Sequence, residues 1–338
     1  MKMTIQQIKD FLTSQAEADL AQASMRALRS DLLNFAAWWE ARYHRPFILS
    51  QLVTRDLRQW QQYRQQEAGV SPKTINRNLV SLRRFCQWGI TTGILSDNPV
   101  TSIDPLLEEN VGPRFLPDVA VDALLRAPSQ IQDRRLRKRD EALMALLIYG
   151  GLRSQEACDL QVRDVDLEGC SLTVRRGKGK KARRVPLHSE AHRALRQYLQ
   201  EIRCPAGFPE IGSAAEREPL LIGLRRTVAG HPLQAGIKTR VVRKRLKYLA
   251  QLAADQLMEA ANQTTDLQQA QALYHYAEQV KQASPHQLRH SLARRLLRNG
   301  AQLSEIQRIL GHSRLSTTGM YLLPSESDLQ EVIERAGV

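Results

Sequence analysis

The chain has 338 residues, of which 25% are charged, and its 49 lysines and arginines exceed its 35 acidic residues to give a formal net charge of +14. This length accommodates two domains, and the excess of cations favours a polyanionic partner such as nucleic acid. There is no apolar run near about 18 residues and no signal peptide, so we expect a cytoplasmic protein without a membrane partner. The four cysteines have no paired spacing, which argues against a disulfide framework or a zinc ribbon.

The first hundred residues predict a helical domain. Apolar residues recur at helical spacing in four stretches, and the sharpest of these follows Ser71-Pro72, which is a cap and first-turn signal. The four stretches are marked by these apolar residues, expected on one face of each helix: Ile5, Ile8, Phe11 and Leu12; Met25, Leu28, Leu32, Phe35 and Trp39; Leu57, Trp60 and Tyr63; Ile75, Leu79, Leu82 and Phe85. The cations of the fourth stretch point to other sides: Lys73, Arg77, Arg83 and Arg84.

Prolines and glycines cluster between residues 104 and 117, which predicts a linker. The expected organisation is therefore a helical domain at 1–103, this linker, and a second domain at 118–338. Two domains joined by one linker suggest a clamp around duplex DNA.

The second domain is predicted to combine helices with a small antiparallel sheet. One helix runs from Asp140 to Tyr149 and is stopped by Gly150-Gly151, after which Ser154 is expected to cap the helix that carries Glu156. Residues 165–187 alternate like a β-hairpin around a glycine-rich turn. A helix capped by Ser284-Pro285 ends at Asn299-Gly300, and the next helix stops at Gly311.

Five short motifs of this domain contain residues that suit one reaction. In chain order they are Gly151-Leu152-Arg153-Ser154-Gln155-Glu156, Gly177-Lys178-Gly179, His286-Gln287-Leu288-Arg289-His290, Leu310-Gly311-His312 and Tyr321. Two guanidiniums bind the two non-bridging oxygens of a phosphate well. A phenol, whose free pKa is about 10, becomes a nucleophile beside a base and a cationic target. The set therefore predicts a site that cuts a phosphodiester bond.

Each motif taken singly has a simpler interpretation. A Gly-Lys-Gly run is usually a solvated hairpin turn. His286 and His290 resemble half of a helical zinc site, but Gln287 stands where a zinc protease has its glutamate and no third ligand is evident. We therefore expect no metal and no cofactor, and the order and spacing of the motifs favour the phosphodiester site.

The motifs resemble, in order and spacing, those of the tyrosine recombinase (phage integrase) family over the last two thirds of the chain. The resemblance implies a mainly α fold with a small antiparallel β-sheet, in which a four-helix core-binding domain precedes an α+β catalytic domain. The chain departs from the family pattern after Tyr321, where Leu322-Leu323-Pro324 replaces the usual Thr-His. This departure concerns the packing of the tyrosine segment and none of the reacting residues.

The resemblance also implies the role of each site residue. The catalytic set comprises Arg153, Lys178, His286, Arg289, His312 and Tyr321. Tyr321 would attack the phosphate to form a 3′-phosphotyrosyl link, Lys178 would protonate the leaving 5′-oxygen, and His286 would act as base. The two arginines, with a hydrogen bond from His312, would stabilise the charge of the transition state. Glu156 and His290 would position this set.

Further expectations concern DNA and assembly. Lys73, Arg77, Arg83 and Arg84 are interpreted as facing DNA, together with Lys180 and Lys181 of the turn. The expected partners are double-stranded DNA at a specific site, three further copies in a homotetramer on two duplexes, and a possible accessory protein. Residues 327–336 would form a helix that docks on a neighbouring protomer or, alternatively, packs on its own domain. Residues 254–282 are a helical insertion, interpreted as a surface hairpin or as a contact to DNA or another protomer.

The function predicted is that of a site-specific recombinase that integrates, excises or resolves a mobile element or a replicon. A type IB-like topoisomerase would use the same tyrosine chemistry but relax supercoils as a monomer. A DNA-binding regulator on a catalytically silent scaffold would not need the complete catalytic set.

Overall fold

The computed structural model describes residues 2–17, 20, 22–108, 115–175, 182–224, 235–311 and 333. The chain divides into two units, Met1–Val111 and Gly112–Val338. The described elements are mostly helices with one small antiparallel sheet, which confirms the predicted fold class. Across these ranges, none of the helices combines the length and apolar character that crossing a membrane requires.

The first unit is a bundle of four helices around an aromatic core. The helices are α1 (Lys2–Glu17), α2 (Gln22–Tyr43), α3 (Thr54–Gln66) and α4 (Pro72–Thr91). Phe11, Phe35, Trp39, Trp60 and Phe85 are each at most 1% exposed, and Phe35 meets the edge of Trp60 with ring centroids 5.4 Å apart. Helical spacing placed all five on inner faces, and the structure confirms this prediction.

Both described ends of the predicted linker are fastened to their own unit. On the first unit, the side chain of Asn76 donates to the carbonyl of Leu106 at 2.9 Å and accepts from its N–H at 2.8 Å. On the second unit, the N–H of Leu116 donates to Ser291 Oγ at 2.8 Å. Residues 109–114 of the linker lie outside the described residues.

The second unit is built around a helix whose second half is fully buried. Its helices are α5 (Asp118–Arg126), α6 (Arg134–Ile148), α7 (Ser154–Asp159), α8 (Ser189–Tyr198), α9 (Thr239–Gln263), α10 (Leu267–Lys281), α11 (Pro285–Arg298) and α12 (Leu303–Leu310). Every residue from Ala142 to Ile148 of α6 is buried, which shows that other elements cover this helix on all sides. It begins at Arg134 rather than at Asp140, because Asp133 Oδ1 caps it by accepting from the N–H of Arg135 at 2.8 Å.

The sheet consists of β1 (Val165–Asp166), β2 (Ser171–Val174) and β3 (Arg183–Pro186), all antiparallel in the order β1-β2-β3. Leu172 pairs with Val185, and Val174 pairs with Arg183. Side chains alternate between the faces of a strand, so Arg183 shares the inner face with buried Val185, whereas Arg184 faces outward. The predicted hairpin is therefore confirmed up to Arg175, and its turn lies outside the described residues.

The segment predicted as a helical insertion forms the end of α9 and all of α10, joined as a helical hairpin. Ala254, Leu257, Ala277 and Val280 belong to the main core of the second unit. The inner face of the hairpin therefore completes the core of the second unit. The outer face is exposed, as Leu267 shows. Its status as an insertion relative to other proteins stays a prediction.

Candidate active site

Arg153 stands in a tightly packed turn between α6 and α7. Gly151, which precedes it by two positions, has a φ of +58°. A Cβ atom at Gly151 would lie 2.7 Å from Leu310 Cδ2 and 2.8 Å from Leu292 Cδ2. A side chain at this position would thus be both strained and excluded, and glycine lets the turn approach α11 and α12 closely.

The carboxylate of Glu156 is the centre of the described site. Glu156 Oε2 accepts from the backbone N–H of Arg153 at 2.9 Å, and Oε1 accepts from Arg153 Nη1 at 2.8 Å. Arg183 donates from both terminal nitrogens to the same carboxylate, at 2.9 and 2.8 Å. Burial would raise the pKa of Glu156, but hydrogen bonds and charge from Arg183 and Arg153 lower this pKa to about 2. Glu156 is therefore an anion at any physiological pH.

The capping of α7 differs from the prediction. Arg153, rather than Ser154, occupies the capping position, and Ser154 is the first helical residue. The reason is that Glu156, at the third helical position, reaches back to the N–H of Arg153 as in a capping box. The same carboxylate thus caps the start of α7 and holds the guanidinium of Arg153.

Arg289 of α11 is buried, with 3% of its side chain exposed, and holds two backbone segments together. Its Nη1 donates to the carbonyl of Gly151 at 2.6 Å, and its Nη2 donates to the carbonyl of Leu310. Nη1 also lies 4.0 Å from Glu156 Oε2. The guanidiniums of Arg153, Arg183 and Arg289 therefore converge on a single anion, which leaves the cluster with a positive charge.

Two half-buried histidines of α11 adjoin this cluster. Burial lowers the pKa of His286 below its ordinary value, and the charges of Arg153, Arg289 and Arg243 lower it further. Burial, His286 and Arg289 lower the pKa of His290 to about 4. Both imidazoles are therefore neutral at pH 7, and a neutral imidazole is able to accept a proton.

The remaining predicted site residues lie outside the described residues: Lys178, Lys180, Lys181, His312 and Tyr321. The described residues nevertheless include close sequence neighbours of Lys178 and His312. β3, which follows Lys178 in the sequence, contributes Arg183, and Gly311, which precedes His312, packs against the Arg183 side chain. Of the predicted set, the structure thus brings together Arg153, Glu156, His286, Arg289 and His290.

Arg183 was absent from the predicted set. Its Nε donates to the carbonyl of Ile309 at 3.0 Å, in addition to the two bonds to Glu156. The sequence held a usable signal, since Arg183 stands two positions before the apolar Val185 and must share its face in a strand.

The predicted DNA-facing residues of α4 are all exposed. Arg77 pairs with Asp31 at 2.8 Å, and Arg83 Nη2 donates to the carbonyl of Val100 at 3.4 Å. A second exposed group of cations, which the sequence analysis missed, follows one face of α9: Arg240, Arg243, Lys244 and Lys247. The recurrence of these cations at helical spacing is a signal that could have found them.

Comparison with known proteins identifies the family. Residues 114–327 match the model of the phage integrase family, and residues 8–93 match its N-terminal SAM-like domain. A tyrosine recombinase XerD of Xanthomonas axonopodis pv. citri is 30% identical over 94% of this chain and 92% of its own length. A tyrosine recombinase XerC of Thermodesulfovibrio yellowstonii is 31% identical over 79% of this chain and 75% of its own.

Solved structures share the fold at lower identity. The XerH site-specific recombinase bound to palindromic difH substrate has a TM-score of 0.65 and 19% identity, covering 95% of this chain and 81% of that one. The Tn1549 transposon integrase with a circular intermediate DNA also has a TM-score of 0.65, with 18% identity over 97% and 99%. The chain therefore belongs to the phage integrase family of tyrosine recombinases and is an enzyme that cleaves and joins DNA strands.

Proposed function

We propose that this enzyme is a site-specific recombinase that cuts and rejoins duplex DNA through a 3′-phosphotyrosyl intermediate. The observation that carries the proposal is the convergence of Arg153 and Arg289 beside Glu156. A phosphate in transfer carries charge on its equatorial oxygens, and fixed guanidiniums stabilise that charge best when they need not reorganise. Glu156 and the carbonyls of Gly151 and Leu310 fix both guanidiniums before any DNA binds.

The remaining roles follow from the chemistry of a leaving alkoxide and an attacking phenol. Tyr321 is the nucleophile, Lys178 is the acid that protonates the 5′-oxygen, and His312 donates a hydrogen bond to the phosphate. His286 is the base for the phenol, since its lowered pKa keeps the imidazole neutral. His290 packs beside it as a second neutral imidazole.

DNA binding rests on the exposed cations. The faces of α4 and α9 supply charges that contact phosphates without reading bases. The XerH structure is a complex with a difH site, and by analogy we propose that this chain acts at its own specific site. Four protomers would join two duplexes, with residues 327–336 docked on a neighbour, in the integration, excision or resolution of a mobile element or replicon.

The nucleophile is tested with a suicide substrate, a nicked duplex carrying the sequence that the protein selects from a random DNA pool. Wild type is expected to form a covalent adduct that survives denaturation, and Tyr321→Phe is expected to form none while binding equally well. Tyr274→Phe, which removes an exposed phenol on α10, is the matched control and should behave as wild type. An adduct in Tyr321→Phe would refute the assignment. Relaxation by wild type of a supercoiled plasmid without the site would indicate a topoisomerase instead.

A further inference from the structure

Arg183 occupies a position that no simple structural requirement of the sheet explains. It lies at the start of β3, and only 9% of its side chain is exposed. A buried guanidinium loses hydration, which costs several kcal/mol unless its donors find partners. All three of its nitrogens have partners: Nε donates to the Ile309 carbonyl, and the two terminal nitrogens donate to Glu156.

These partners belong to two different parts of the site. Glu156 holds the guanidinium and the backbone N–H of Arg153. Ile309 lies in the last turn of α12, just before Gly311 and the segment that begins with His312. Arg183 itself belongs to β3, the strand that follows Lys178 in the sequence. One side chain therefore connects β3, Arg153 through Glu156, and the end of α12.

The charges around Glu156 also link Arg183 to Arg153. Glu156 is shared by Arg153 and Arg183, with Arg289 Nη1 4.0 Å from one of its oxygens. Without Arg183, the carboxylate would keep Arg153 but lose two of its hydrogen bonds, and it could rotate toward Arg289. The bidentate fork of Arg183 fixes the plane of the carboxylate, and that plane sets the direction in which Arg153 points.

We propose that Arg183 is a positioning residue for DNA cleavage, acting through Glu156 to aim Arg153 at the phosphate. This inference rests on the proposed function, because it gives Arg153 the role of binding the reacting phosphate. Arg183 needs no contact with DNA in this role. A displacement of about 1 Å at a reacting group is able to lower a rate by about 10²-fold, so the effect should be large.

The experiment measures single-turnover formation of the covalent Tyr321 adduct at saturating protein. Arg183→Ala is expected to slow adduct formation by about 10- to 100-fold while changing duplex affinity by less than about twofold. Arg183→Lys keeps the charge without the fork and should be intermediate, which guards against simple misfolding of the alanine variant. Arg184→Ala, on the outward face of the same strand, is the matched control and should match wild type.

A double-mutant cycle with Glu156→Gln separates positioning from general stabilisation. If Arg183 acts through Glu156, adding Arg183→Ala to the Glu156→Gln enzyme should slow cleavage by no more than about threefold. The effects of the two substitutions on the cleavage rate are then not additive. Loss of Arg183 should also raise the pKa of Glu156, since Arg183 is its main lowering influence against burial. As the pH is lowered, the cleavage rate of Arg183→Ala should therefore begin to fall at a higher pH than the cleavage rate of wild type. This difference should disappear when both enzymes also carry Glu156→Gln.

Three results would overturn the proposal: a wild-type rate in Arg183→Ala, fully additive effects in the cycle, or an equal loss in Arg184→Ala. The proposed function fails separately, because in that case wild type itself would form no Tyr321 adduct. A normal adduct in wild type together with an unchanged rate in both Arg183 variants would refute this inference alone.

Discussion

The clustered arginines of the second unit and the exposed cations of α4 and α9 carry the same charge but are held very differently. Arg153, Arg183 and Arg289 are fixed by a shared carboxylate and by backbone carbonyls. Arg84, Arg240 and Lys244 are exposed to solvent. The first arrangement suits a charge that must be in place at the moment of reaction, whereas the second suits attraction to a polyanion of any sequence. Changes in the two regions should therefore have separable consequences.

The largest effect is expected from Arg153→Ala, which should slow cleavage by about 10²- to 10³-fold with little change in binding. Because its role is charge stabilisation, replacing the 5′-bridging oxygen of the DNA by sulfur should not restore the rate. Lys178→Ala should be restored, since the thiolate leaves without a proton. Single-turnover cleavage of both substrates decides this. If sulfur substitution restores the rate of Lys180→Ala or Lys181→Ala instead, that lysine is the acid. If it restores the rate of Arg153→Ala, the role of Arg153 in charge stabilisation is contradicted.

A smaller effect is expected from Gly311→Ala, for which Gly300→Ala is the control. Both glycines end helices with positive φ, so each change costs about 1–2 kcal/mol of backbone strain. Only at Gly311 would the new Cβ meet another side chain, 2.8 Å from Arg183 Cδ, whereas Gly300 faces open space. Both variants should unfold at lower temperature, but only Gly311→Ala should slow cleavage, by about tenfold. Equal cleavage rates in the two variants would show that Arg183 tolerates displacement.

The exposed cations should affect binding alone. Lys244→Ala and Arg84→Ala should each weaken binding to all sequences and reduce the dependence of log affinity on log salt by about one unit. The cleavage rate of the bound complex should stay unchanged. Gln251→Ala on the exposed side of α9 is the control. Binding titrations at several salt concentrations test this, and an unchanged salt slope would remove the residue concerned from the proposed DNA surface.

The smallest effect concerns pH and stability. The pKa of His290 is lowered to about 4 from an ordinary 6.5. Between pH 6.5 and 4, His290 therefore binds a proton in the unfolded chain but not in the folded chain. The fold should lose stability as the pH falls from 6.5 toward 4. His290→Gln should show a weaker pH dependence in that window when urea unfolding is followed at pH 7.5, 5.5 and 4.5. An identical dependence in wild type and variant would contradict the lowered pKa.

The sequence predicted the helices best where large apolar residues recur on one side. Phe35 and Trp60 could be placed in a core from spacing alone, because their burial dominates the local free energy. Ala254 and Ala277 show the opposite case, since a small side chain gives a weak hydrophobic signal even when it is buried. Spacing alone therefore gives a weaker indication of how the hairpin of α9 and α10 packs.

The candidate site divides in the same way. Arg153 and Arg289 were predicted from motifs, and the structure adds how they are held. Arg183 was missed because a charged residue in a short strand is ordinarily exposed, and its burial is favourable here because Glu156 and the Ile309 carbonyl accept its hydrogen bonds. A contact between residues 27 positions apart in sequence is invisible to local spacing.

The register of β3 sets a limit on how this enzyme can vary in length. In a strand, a shift of one residue exchanges the inner and outer faces. A deletion within Arg183–Pro186 would therefore turn Arg184 inward and leave Glu156 without its fork, while every residue of the motifs was still present. Insertions or deletions in the connection between β2 and β3 spare this pairing. Among relatives, length changes near the lysine are thus expected in the connection and excluded from the strand that follows it.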